Sequence, residues 1–393
     1  MNVKLCKPGG IYIHIPFCVR KCPYCDFYSI TDLSLKPGFL QALMREMELF
    51  YPGTLNFDTV YLGGGTPSVL DCNDIFQIID SAFELFKILP SPEITIEINP
   101  GTITGEVLKE YLGAGINRVN IGVQSFLVEN LNFLGRIHSV KDAYLAFEWA
   151  RQAGFDNIGM DMIYGLPKQT KEDWRRDLAQ AVHLAPDHLA CYMLTCEPRT
   201  PLYRDLQSGR YHPLHDRNVR ELFDLTIDYL ETHGYRQYEI SNFARRTHET
   251  LLRFMSRHNL KYWSLAPYVG FGPSAHSFIQ PERYWNYADL KKYISETETG
   301  RLPIEESEVL STEQLFMEAI YLGLRTIDGI DLIEFNQRFN LDFLQSFGRI
   351  VTDLETHGLL CIAQNTCALT RKGLAYLDSV VSMFTGQDVN FQC

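Results

Sequence analysis

Residues 11–25 read Ile-Tyr-Ile-His-Ile-Pro-Phe-Cys-Val-Arg-Lys-Cys-Pro-Tyr-Cys. The first five form an apolar, β-rich run that Pro16 ends, so a predicted strand hands directly to a short loop carrying Cys18, Cys22 and Cys25. Thiolates are soft ligands that suit iron–sulfur clusters or zinc. Three of them can hold three irons of a [4Fe–4S] cube and leave the fourth iron open to a further ligand. A zinc site would instead need a fourth protein ligand, for which His14 and Asp26 are the near candidates.

Outward from this segment the same kind of run recurs at 59–62, 93–98, 118–123, 157–164 and 188–194. Between the runs lie stretches with helical spacing, at 39–50 (Leu40, Leu43, Met44, Met47), 75–86, 140–153 and 172–184. Strand–helix units repeated in this way predict a parallel sheet, either open and doubly wound or barrel-like. Polar chemistry separates the two. The cysteine loop follows the first strand, Gly63-Gly64-Gly65-Thr66-Pro67 the second and Asn99-Pro100 the third; Gln124, Asp161 and Cys196-Glu197 mark the later ones. An open sheet gathers such residues at its switch point, whereas a barrel gathers them at the C-terminal end of every strand. The expected fold class is α/β, an incomplete (β/α)6 barrel over residues 1–200 with one open side, followed by an α+β extension at 201–305.

From Ser311 the pattern becomes helical. Ser311 and Gln314 form a capping-box pair, helices are expected at 331–339 and 341–357, a hairpin at 359–363 and 366–370, and one last helix at 371–384. That is a winged-helix order for 306–385, with a frayed tail at 386–393. Asp342, Asp353 and Glu355 outweigh Arg349 on the second of these helices, which disfavours a DNA-reading role and suits a lid or docking domain.

The chain has 393 residues, a formal net charge of −12 and 46% hydrophobic content. Such an acidic balance argues against nucleic-acid partners, because a phosphate backbone attracts basic surfaces. No run reaches the ~20 apolar residues of a membrane span, and residues 1–10 hold no signal-peptide core. The remaining cysteines form no regular framework, and the Cys191/Cys196 pair reads as incidental. A cytoplasmic protein of a reducing compartment is expected, with peripheral membrane contact left open.

The strings Tyr12-x-His14-Ile15-Pro16-Phe17-Cys18, GGGTP at 63–67, Glu97-x-Asn99-Pro100, Gly122-Val123-Gln124-Ser125-Phe126, Arg136-x-His138 and Asp161-x-Ile163-Tyr164-Gly165-Leu166-Pro167 follow one another in a familiar order. They resemble the radical S-adenosylmethionine (SAM) superfamily, within it the oxygen-independent coproporphyrinogen III oxidase family, and most closely that family's HemW haem-chaperone branch. The resemblance implies a [4Fe–4S] cluster on Cys18, Cys22 and Cys25. It also implies a SAM site lined by Tyr12, Tyr24, Gly64, Gly65, Thr66, Glu97, Gln124, Arg136 and Asp161. Arg136 suits the SAM carboxylate, and the acids and amide suit its ammonium and hydroxyls.

The decarboxylating oxidases carry a fourth cysteine two residues after the third, where this chain has Phe27. Coproporphyrinogen oxidation is therefore not expected, although a radical SAM enzyme acting on a porphyrin or other substrate, as C-methyltransferase, ring-opening enzyme or coproporphyrinogen dehydrogenase, stands as the alternative and would share every barrel motif. His258-Asn259-x-x-Tyr262-Trp263 is similar to the chaperone branch's haem-binding string. By that resemblance His258 would ligate haem iron and the aromatics would pack on the porphyrin, with His276 the second candidate ligand and an unidentified protein the haem acceptor. His258 could equally fill a core or cap a turn. The stretch 245–257 looks longer than in the branch, and its arginines could hold haem propionates.

Overall fold

The computed structural model describes residues 7–246 and 253–384. The expected tail at 386–393 and the middle of the arginine-bearing stretch, 247–252, lie outside the described residues. Strands β1 (Gly9–Ile15), β2 (Phe57–Gly64), β3 (Ile88–Ile98), β4 (Arg118–Gln124), β5 (Ile158–Tyr164) and β6 (His188–Met193) pair in succession, all parallel. They are the six strands expected from the apolar runs.

The sheet does not stop there. β7 (Tyr235–Gln237), β8 (Asn242–Arg245), β9 (Tyr268–Phe271), β10 (His276–Ile279), β11 (Glu282–Asn286) and β12 (Ile304–Val309) extend it to twelve strands, in the order β12-β11-β10-β9-β1-β2-β3-β4-β5-β6-β8-β7. The segment expected as a separate extension over 201–305 thus adds strands to both edges of the barrel sheet. β8 runs antiparallel to β6, and β9 runs parallel to β1. With neighbours on both sides, β1 lies inside the sheet, and Ile11, Ile13 and Ile15 are fully buried.

Helices Lys36–Leu49, Cys72–Leu85, Val140–Ala153 and Lys171–His183 cover the outer face. Some start before the apolar periodicity does, because reciprocal capping boxes set the ends: Asp71 with Asp74, Ser139 with Asp142, Thr170 with Asp173. Along each strand, alternate residues point into the barrel. Register therefore stacks the interior in layers: Gly10, Thr59 and Glu93 at the floor, then Tyr12, Tyr61, Thr95 and Arg118, then Glu97 and Asn120.

The C-terminal unit has the expected winged-helix order. Helices Thr312–Arg325, Leu332–Phe339 and Phe343–Thr356 precede the hairpin β14 (Leu360–Ala363) and β15 (Thr366–Leu369), and β13 (Ile330–Asp331) completes the small sheet in the order β13-β15-β14. The single last helix expected over 371–384 is two helices, Arg371–Leu374 and Leu377–Phe384. At Gly373 a Cβ would fall 1.9 Å from the Leu359 carbonyl oxygen, so the chain presses on the hairpin there and must turn. After the turn, Phe384 packs on Phe343 and Phe347.

Candidate functional site

The mouth of the barrel is built by the loop after β1. Its ends are joined by Cys18 N–H to Ile30 O (2.9 Å) and Ile30 N–H to Pro16 O (2.8 Å), which leaves Cys18, Cys22 and Cys25 half-buried on one short arc. Hydroxyl and guanidinium donors already meet two of the sulfurs: Thr66 Oγ1 lies 3.5 Å from Cys18 Sγ, and Arg136 Nη1 lies 3.7 Å from Cys22 Sγ. Burial pushes the Cys25 thiol up to about 11, and bound metal is what deprotonates such a thiol.

The zinc alternative loses both of its fourth ligands. His14 uses Nδ1 on Tyr12 Oη (3.1 Å) and Nε2 on Tyr28 O (2.8 Å), while Asp26 is paired with Arg199 at 2.9 Å. Among the described residues no three Cys, His, Asp or Glu side chains surround one ion position. Thiolates that each meet a different iron of a cube need no such convergence, so the three-cysteine loop fits the cluster.

Two amides of the glycine-rich turn at 63–67 are engaged within the protein: Gly65 N–H donates to Ile15 O (2.8 Å) and Thr66 N–H to Phe17 O (2.7 Å). A Cβ on Gly65 would sit 2.5 Å from Phe17 O, and Gly64 has φ +102° with the His14 ring 2.6 Å from its Cβ position. Small residues are needed here because β2 clasps the cysteine loop. Gly122 leaves a similar gap, over which Asn99 Oδ1, Gln124 Nε2 and Arg136 Nη2 converge within 3.1–3.4 Å of the absent Cβ. Arg136 also donates to Gly122 O at 2.7 Å, and its buried Nε has no hydrogen-bond partner among the described residues. Tyr24 packs against Leu134, Ile163 and Leu166 below the loop, and burial raises its phenol. A carboxylate entering this mouth would meet guanidinium donors.

Deeper inside, Glu97 accepts from Tyr61 Oη (2.7 Å), and Asp161 accepts from Asn120 Nδ2 (2.8 Å). Burial pushes these carboxyls up to about 7 and about 6. Gly159 makes the second contact possible, since a Cβ there would fall 2.3 Å from Asn120 Oδ1. Tyr12 lies between this layer and the floor, its phenol raised by burial and then by Glu97. Tyr61, Asn120 and the role of Asn99 were missed from sequence, although alternate polar residues in Arg118-Val119-Asn120-Ile121-Gly122 signalled an inward polar face.

His258 is not at this mouth. It lies on helix Arg257–Trp263, which closes the opposite end of the barrel, and it is 1% exposed. Its Nδ1 meets Thr59 Oγ1 (2.8 Å), its Nε2 meets Tyr262 Oη (2.9 Å), and its ring packs 5.1 Å from that of Tyr61. Burial, with Lys261 and Arg118 nearby, lowers the imidazole to about 3. Glu93 caps the helix through the amides of Arg257 (3.0 Å) and His258 (2.9 Å). The expectation of a free imidazole for haem iron is thus not met in this conformation, because both ring nitrogens are engaged. Nor are Arg245, Arg253 and Arg257 gathered for propionates, since they pair with Asp187, Asp156 and Asp58. His276, by contrast, is exposed at the start of β10, its ring stacked on Trp285 (5.5 Å, 25°).

Residues 12–181 match the radical SAM superfamily, and residues 310–376 match the HemN C-terminal domain. A Bacillus subtilis protein named "Heme chaperone HemW" is 34% identical over 383 residues, covering 96% of this chain and 99% of the relative. A protein of the same name from Lactococcus lactis is 33% identical, covering 98% and 99%. The Escherichia coli one is 37% identical, covering 70% and 71%. Among solved structures, the E. coli coproporphyrinogen III oxidase HemN superposes with a TM-score of 0.82 over 97% of this chain and 91% of its own, at 24% identity, a likeness of fold.

Proposed function

The chain belongs to the HemW family of radical SAM proteins, and from that premise we propose that it is a haem chaperone, holding a [4Fe–4S] cluster and SAM at its barrel mouth and passing haem to an acceptor protein. What carries the reading is a relationship spanning 96% of the chain, which takes in both the cysteine loop and the segment around His258. Cys18, Cys22 and Cys25 hold the cluster, and an open iron supplies a site for the amino and carboxylate groups of SAM. Arg136 orients that carboxylate, Glu97 and Asp161 receive ammonium and hydroxyl donors, and Gln124 and Tyr24 bound the site. Among the described residues no helix is long and apolar enough to cross a membrane, and the cytoplasm is the compartment this reading assigns.

Two imidazoles compete for the haem iron, and they imply different routes. His276 is reachable as folded, and burial followed by Arg283 lowers it, which keeps it in the neutral form that iron requires. His258 becomes available only if helix Arg257–Trp263 leaves the barrel floor. Titration of purified protein with haem, followed by absorbance, tests both. A Soret shift lost in His276→Ala assigns the direct route, and one lost in His258→Ala assigns the opening route. Absence of any haem complex in the unsubstituted protein would overturn the chaperone reading. Phe27, 65% exposed on the cysteine loop, leads to a further expectation. Anaerobic incubation with SAM, reductant and coproporphyrinogen III should give no protoporphyrinogen IX above a protein-free control.

A further inference from the structure

Asn99 stands just past the end of β3, beside the cleft lined by Cys22, Thr66, Thr102 and Arg136. Its backbone is fixed from both sides: its amide donates to Ser68 Oγ (3.4 Å), its carbonyl accepts from Thr102 Oγ1 (2.8 Å), and those two hydroxyls meet at 2.7 Å. The side chain is therefore aimed, and it has two different partners. Nδ2 donates to Thr66 Oγ1 at 2.8 Å, and Oδ1 accepts from Arg136 Nη2. Each partner goes on to a cysteine, Thr66 to Cys18 and Arg136 to Cys22.

With the Asn99 Nδ2 proton on one Thr66 lone pair, the Thr66 hydroxyl proton is directed toward the Cys18 sulfur. The same amide's oxygen fixes Arg136 Nη2 beside the Gly122 carbonyl, which directs Nη1 at Cys22. Gly122 is bare at the point where Asn99, Gln124 and Arg136 meet, and there Nη2 is held by the Asn99 side chain and the Gly122 carbonyl.

We propose that Asn99 is a positioning residue that ties the cluster ligands to the SAM-binding arginine: one side chain sets both the hydrogen bond to the Cys18 thiolate and the attitude of Arg136. The inference rests on the cluster-and-SAM reading above and makes no use of haem. Hydrogen bonds to cluster sulfurs help set the reduction potential, since they favour the more negatively charged reduced form.

The test uses anaerobically reconstituted full-length protein and reads iron and sulfide content, the cluster midpoint without SAM, and SAM affinity by spectral titration. Asn99→Ala should keep four irons per chain, bind SAM about tenfold more weakly and shift the midpoint to a more negative value. Thr66→Val, which removes only the hydroxyl that meets Cys18, should reproduce the midpoint shift with four irons retained. Asn99→Asp, which keeps the acceptor for Arg136, should retain SAM affinity. Unchanged affinity and midpoint in Asn99→Ala would overturn the proposal. If that variant holds no iron, the Thr66→Val midpoint decides in the same sense. Failure of the cluster reading itself would be recognisable separately, as unsubstituted protein that assembles no four-iron centre.

Discussion

The carboxyls of Glu97 and Asp161 sit where SAM's ammonium and hydroxyl groups are expected, yet burial leaves Glu97 close to half-protonated near neutral pH and Asp161 so at about pH 6. Their ordinary values lie near 4, and burial raises them to about 7 and about 6, against the opposing hydrogen bonds from Tyr61 and Asn120. Accepting two or more donors from a cation requires the ionised forms, so SAM affinity should fall as pH drops through 7 and 6. Titrations of the reconstituted protein across that range check this, and Glu97→Gln should bind SAM more weakly with a flatter pH profile. Without SAM the sign reverses. A raised folded-state value favours the fold while the carboxyl is neutral, and that contribution is lost as pH rises through about 7. Thermal melts of SAM-free protein should therefore show Glu97→Gln gaining stability relative to the unsubstituted chain above neutrality.

Helix Arg257–Trp263 is a plug, held by Glu93 at its N-terminus, by Thr59 through His258 and by Asp58 through Arg257. Removing the imidazole in His258→Ala deletes two buried hydrogen bonds and opens a cavity against Tyr12 and Tyr61, which should cost about 2–4 kcal/mol and appear as a lower melting temperature. Because His258 titrates at about 3 when folded and near 6.5 when not, its contribution is complete above about 6.5 and lost as pH falls toward 3. The melting gap between the two proteins should narrow on acidification.

Local pattern and burial by tertiary context divide what the sequence could reveal about these elements. β1 to β6 were legible from apolar runs, and the mouth residues from their place at strand ends. Reading β4 as alternating inward polar and outward apolar residues would also have exposed Asn120. By contrast, β9 to β11 are four or five residues long and broken by Gly272, Pro273 and Pro281, so no periodicity marks them. The placement of His258 depended on which end of the barrel its helix closes, a fact set by Glu93 and Thr59 far away in the chain.

At the scale of the whole molecule, the C-terminal domain is joined to the barrel by contacts of unequal weight. Arg371 pairs with Asp224 and Asp228 near the surface, where side chains are 39%, 35% and 64% exposed. Screened pairs of this kind contribute about 0–1 kcal/mol each. Arg325 is different: it reaches the fully buried Glu239 at 2.8 Å, and its guanidinium lies 4.4 Å over the Trp263 ring on the plug helix. Glu239 in turn accepts from Ser241 N (2.8 Å) and Asn242 Nδ2 (2.5 Å), so its carboxylate orders the turn before β8. Removing only the cation strands a buried anion, which costs about 3–5 kcal/mol, whereas removing both charges does not. Arg325→Ala should therefore melt well below Arg371→Ala in thermal denaturation. Adding Glu239→Gln to Arg325→Ala should recover part of the loss, because the amide keeps an acceptor for Ser241 without a charge. If Arg325→Ala and Arg371→Ala cost the same, or if the double variant is additive, Glu239 is not held as an anion by Arg325, and the domain is secured by its apolar contacts instead.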